Sequence, residues 1–198
     1  MGMEHKAYLF DTDNFNKELS NIIITSGATN DVDSLMVFIV EKIGTVRSVY
    51  TGELLNKEWE KELENGEVQE LADFAMTCYY SPEKELGLSY AWDALLEALN
   101  MMSTKFHPDY YILGRPLESE LFKLDPGGMG LGFVYAEDIS SMYNELIDLK
   151  QLLINNSLPS SNDLVYHITF PELIEAYDEL IMLYKEAKEA NCGLLMTF

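Results

Sequence analysis

The stretch with the most chemistry in it runs from Glu53 to Asp73, ELLNKEWEKELENGEVQELAD, and carries eight acids against Lys57 and Lys61. Carboxylates at that density create a field that speeds encounters with basic partners and repels phosphates. Within it Glu60, Glu64, Glu67 and Glu70 recur at intervals of three and four, the spacing of neighbours on a helix surface, which makes them the candidate partner-binding residues. The whole chain has the same sign, with 34 Asp plus Glu against 13 Lys plus Arg and a formal net charge of −21. Binding to a nucleic-acid backbone or to anionic lipid is therefore disfavoured, and a basic protein is the expected partner.

A second constellation is scattered: Trp92, Asp93, His107, Arg115 and Tyr135 hold the residue types from which a small-ligand or catalytic pocket is assembled. Arg115 is one of only two arginines and stands between Gly114 and Pro116, where a guanidinium could clamp a carboxylate or phosphate. An ion pair with a nearby glutamate is its structural alternative, and a place in the core is that of Trp92. His107-Pro108-Asp109 reads as a turn in which Pro108 sets the backbone and Asp109 caps.

Four glycines and a proline occupy the seven residues Pro126 to Gly132. A dinucleotide fingerprint needs a third glycine at position 133, which is Phe133, and the segment leads into a strand-like run, Leu131 to Tyr135, rather than a helix. No Gly-Lys pair exists for a nucleotide P-loop. The segment is expected to be a structural bend that demands positive φ or close backbone approach.

Other catalytic signatures are missing. His5, His107 and His167 have no zinc-like spacing, and Asp11-Thr12-Asp13 departs from a calcium loop at Phe15, Asn16 and Ile22, so no metal and no cofactor is expected. Neither Cys78 nor Cys192 is flanked like a thiol nucleophile, and both read as reduced. No apolar run is long enough for a membrane span, and MGMEHKAYLF lacks the order of a secretory signal, so a cytoplasmic location is expected.

The elements that must position these residues follow from periodicity. Glu4 to Phe10 suits a strand; Asp11 or Asp13 caps a helix carrying Phe15, Leu19, Ile22 and Ile23; and a second helix covers Asp31 to Ile43. Glu53 to Asp73 reads as a solvated helix pair broken at Asn65-Gly66. Ser81-Pro82-Glu83 starts a helix whose buried face holds Leu88, Ala91, Trp92, Leu95, Leu96 and Leu99, and Tyr110 to Leu113 suits a strand. Glu137 and Asp138 open a helix striped by Ile139, Met142, Leu146, Leu149 and Leu153; Leu158 to Asp163 is a loop; Pro171 to Ala190 is a long helix; and Leu194 to Phe198 is a last strand. Few short strands among many helices in 198 residues predict one α+β domain, predominantly helical, over residues 1–198.

Met1-Gly2-Met3, the helix Trp92-Asp93-Ala94-Leu95-Leu96, the glycine turn into FVYAEDI and the ending LIMLYKEAKEANCGLLMTF resemble, in that order, the YfbM-like family of bacterial domains of unknown function. The likeness departs at Leu99-Asn100-Met101, where the family carries a Leu-Thr-Gly-like turn, and does not extend to Glu58 to Asp73. It implies a single α+β domain in a bacterial cytoplasm and transfers no catalytic residue. Two function classes emerge. One is a non-catalytic acidic protein that occupies a basic partner, as an immunity protein or inhibitor does. The other is an enzyme or small-ligand binder with a pocket near Trp92, His107 and Arg115.

Overall fold

The computed structural model describes residues 3–125, 132–156 and 168–198. Its centre is an antiparallel sheet of β1 (His5–Phe10), β2 (Leu86–Ser89), β3 (Gly132–Val134) and β4 (Gly193–Thr197), in the order β2-β1-β4-β3. Successive strand residues point to opposite faces, and here both faces are covered. Tyr8, Phe10, Phe133 and Leu195 face one core, built with α1 (Thr12–Glu18), α2 (Ser20–Thr29), α3 (Asp33–Glu41) and α4 (Val68–Met76). Ala7, Leu9, Val134, Leu194 and Met196 face the other, built with α5 (Trp92–Asn100), α6 (Pro108–Leu113), α7 (Ala136–Asn156) and α8 (Phe170–Ala190). The sheet is thus the middle layer of three. Double burial explains why β4 reads as an unbroken apolar run, Leu194-Leu195-Met196, with no polar alternation.

This is the α+β, mostly helical domain that the patterning predicts, and its end signals lie where expected. Asp11 caps α1 by accepting from the Asn14 N–H at 3.1 Å. Thr169 and Glu172 form a reciprocal capping box around Pro171 at the start of α8. Asn191, left-handed at φ 52°, ends that helix and releases β4. Among the described residues no helix is long and apolar enough to cross a membrane.

Four expectations are corrected. Tyr110–Leu113 belongs to α6, a helix, because Pro108 occupies its first turn and His107, not Asp109, caps it; a short apolar run carries no period that separates helix from strand. Ser81-Pro82-Glu83 starts no helix. Leu88 instead lies in β2, where its N–H donates to the buried His5 ring, and α5 begins only at Trp92. The stretch from Glu53 to Asp73 is not a solvated helix pair. Its first half is a loop with a 3-10 turn at Trp59–Glu62, anchored by fully buried Leu55 and Trp59. Its second half, α4, buries Val68, Leu71, Ala72, Phe74 and Ala75 and is among the best-covered helices of the molecule. Trp92, expected in the core, is half-buried at the sheet's end, its indole N–H donating to the Met3 carbonyl at 2.9 Å and its ring 5.0 Å from Phe198.

Gly127, Gly128 and Gly130 lie outside the described residues, as do His167 and the loop expected at Leu158 to Asp163, but both flanks of the glycine segment are defined. The Gln69 side chain clasps the Asp125 backbone, donating to its carbonyl at 2.6 Å and accepting its N–H at 3.0 Å. On the other flank Gly132 runs against the Arg115 backbone, whose carbonyl a Cβ at Gly132 would strike. Close approach is the reason for glycine there.

Candidate functional site

On the aromatic side of the sheet, the rings of Phe15 and Tyr79 pack on Phe10 at one end of β1, while the Lys6 end faces α4 across a gap. The result is a cleft of about 500 Å³ floored by Lys6, Tyr8, Leu195 and Thr197 and walled by α4 and the loop before it. Loop residues 48–52 are set by the Ser48 hydroxyl, which accepts from the N–H groups of Tyr50 and Thr51 at 3.3 Å. Arg47 holds the same loop, donating to the Gly52 carbonyl at 3.0 Å from its side chain and to the Thr77 hydroxyl at 2.8 Å from its backbone. These bonds set the loop from which Tyr50 lines the cleft together with Tyr8 and Tyr80.

Glu70 closes the cleft from below. Its carboxylate accepts from the backbone N–H groups of Glu64 (2.6 Å), Asn65 (2.9 Å) and Gly66 (2.6 Å) and from the Tyr50 hydroxyl (2.7 Å). Burial alone would raise its pKa, but these four donors together outweigh burial and hold it below 4.5. Glu70 is therefore a buried brace, charged at neutral pH, and not the exposed recognition residue its spacing suggests. Glu60, Glu64 and Glu67 are exposed; Glu67 lines the cleft, and Glu64 sits beside Asn65 at its rim. Three carboxylates, Glu67, Glu70 and Asp73, face the single ammonium of Lys6, which pairs with Glu85 at 3.1 Å.

The titratable groups lining this cleft are the carboxylates Glu67, Glu70 and Asp73, the Lys6 ammonium and three tyrosines. Burial, then the charge of Glu85, pushes the Tyr8 phenol up to about 12, and burial likewise raises Tyr50 and Tyr80, so all three are neutral donors at neutral pH. No histidine, cysteine or serine is among its described lining residues. Among the described residues no group of three or more His, Cys, Asp or Glu side chains is placed to hold a metal ion.

The second constellation is not gathered. Arg115 lies over the Tyr110 ring at 3.8 Å and pairs with Asp138 at 3.3 Å, an aspartate at the start of α7 rather than the glutamate expected. Tyr135 is near enough to feel the Arg115 charge. Trp92 is instead joined to Met3 and Phe198, Asp93 accepts from its own helix at Ala94, and exposed His107 pairs locally with Asp109 at 3.5 Å. Asp93 borders a shallow cleft against α8, with Glu172, Glu175 and Glu179, that none of the other four reaches.

Sequence reasoning found the acidic wall through charge density but missed the tyrosines that face it. Tyr8, Tyr50, Tyr80 and Phe198 come from four separate segments, and only the pairing of β1 with β4 and the burial of α4 bring them together. No family model matches this chain, and neither does any curated protein or solved structure.

Proposed function

We propose that this chain is a non-catalytic acidic binding protein of the bacterial cytoplasm, an immunity protein or inhibitor, that occupies a basic partner protein. The observation that carries this reading is that the exposed glutamates Glu60, Glu64 and Glu67 lead, at Glu67, into a tyrosine-lined, net-negative cleft. Carboxylates on the rim steer a cationic surface inward, and rigid aromatic rings at the centre supply contact area at low entropic cost. The proposed kinship with the YfbM-like family fits a bacterial setting and assigns no competing activity.

The test is association kinetics with the partner captured from the native host, measured at two salt concentrations. Replacing Glu60, Glu64 and Glu67 together with glutamine should slow association several-fold at low ionic strength and leave the melting temperature in place, because electrostatic recognition acts on the on-rate and is screened by salt. An acidic partner, or an on-rate indifferent to both salt and the substitutions, overturns the reading.

A further inference from the structure

We infer that the cleft between α4 and the Lys6 end of β1 receives the guanidinium group of one arginine side chain presented by the basic partner; this rests on the function proposed above. The cavity, about 500 Å³, lies within the size range of small-ligand sites. Its walls combine two chemistries that one cation satisfies together. Tyr8 and Tyr80 hold their rings 4.9 Å apart at 50°, with Tyr50 and Phe198 also lining the space, and aromatic faces attract a cation through their quadrupole. Glu67 stands on the α4 side with its negative charge, while Asp73 accepts from the Gln69 side-chain amide and Glu70 is engaged by the loop N–H groups and the Tyr50 hydroxyl. Glu67 and Glu70 also offset the positive end of α4, which would otherwise disfavour a cation. The chain's own ammonium at this place, Lys6, is turned to Glu85.

The molecule displays the same recognition internally. Arg115 lies over Tyr110 and against Asp138, so a ring face and a carboxylate share one guanidinium. The cleft brings tyrosine rings and the Glu67 carboxylate together in the same way, with no arginine among its described lining residues. A guanidinium fits it better than an ammonium, because it is planar, stacks on rings, forks to a carboxylate and is less strongly hydrated.

Two peptides test this on the full chain at low ionic strength: acetyl-Gly-Lys-Arg-Lys-Gly-amide and its counterpart with lysine in place of arginine, titrated while the aromatic ring signals are followed by NMR. The arginine peptide should shift the Tyr8, Tyr80 and Phe198 rings and bind about five- to tenfold more tightly than the lysine peptide. Tyr8→Leu should abolish that preference, and Tyr8→Phe, which keeps the ring, should retain it. Equal binding of both peptides with ring signals unmoved overturns the arginine site; if that binding also weakens in the Glu60, Glu64 and Glu67 glutamine variant, the acidic-surface reading survives it. The absence of saturable binding by either peptide overturns both. Because the ring shifts are read on the unsubstituted protein, a variant that fails to fold does not remove the test.

Discussion

The two faces of the sheet are built from different materials. On one, α7 and α8, each 21 residues long, close over the strands with leucines and buried tyrosines whose hydroxyls reach backbone carbonyls, Tyr177 to Leu146 and Tyr184 to Tyr111. On the other, α1 to α4 are each 7 to 10 residues long, the core is aromatic around Phe10, Phe15, Phe74, Phe133 and Trp59, and a long loop replaces the second layer between α3 and α4. Two long helices can seal a small sheet completely, whereas short helices joined by loops leave it open where a loop is braced rather than packed. The cleft lies at that opening.

The largest expected effect separates the two tryptophans. Trp59→Ala empties a fully buried site on the aromatic face and should cost about 3–5 kcal/mol, while Trp92→Ala, at the sheet's edge, should cost about 1–2 kcal/mol, both read from urea unfolding. Equal costs would erase the distinction between a tryptophan that builds a face and one that trims its end. Next is the brace: Glu70→Ala strands the loop N–H groups of Glu64, Asn65 and Gly66 and should cost about 2–3 kcal/mol. It should also free Tyr50, whose amide protons would exchange faster from residues 48–66 while α8 keeps its protection.

Acid should weaken the two faces in different pH windows. His5, buried toward the long helices, places Nε2 2.7 Å from the Ile112 carbonyl and Nδ1 against the Leu88 N–H, and burial lowers its pKa below 6.5. The unfolded chain then binds the proton more readily, so stability is full above 6.5 and falls as pH drops from there toward the lowered value. Glu70 is likewise depressed, so its contribution is present above 4.5 and is lost only as pH falls below that toward its own lowered value. Melting temperature against pH should decline in two stages, and His5→Gln should remove only the first. Smallest of all, Tyr177→Phe and Tyr184→Phe should each cost about 0.5–1.5 kcal/mol, the net worth of one hydrogen bond. A larger loss would mean that the sealed face depends on its hydroxyls and not on its aliphatic packing.

Legibility in the sequence follows the same division. The stripes of α7 and α8, the acidic start of α7 and the Asn191 stop were readable because a long amphipathic helix repeats its signal over several turns. Tyr110–Leu113 and Leu86–Ser89 were misread because four to six residues repeat nothing, and what decides them is remote: a cap at His107 for one, pairing with β1 for the other. At the cleft, charge density identified Glu64 and Glu67. It could not distinguish Glu70, whose burial depends on the chain folding back at Gly66, with φ of 67°, so that three N–H groups converge on one carboxylate. The tyrosines carried no local signal at all.

β4 has a consequence for the order of events in synthesis. It is the strand that both cores share, with Leu195 facing one and Leu194 and Met196 the other, and it lies between β1 and β3. Residues 11–192 separate β1 from β4, so the central ladder cannot zip until β4 itself has emerged from the ribosome. Contacts so remote along the chain close slowly, and until they do both apolar sheet faces remain uncovered on the nascent polypeptide. A ribosome stalled before Gly193 would hold a chain with neither core complete, a ready client for chaperones and proteases rather than a half-built binding protein.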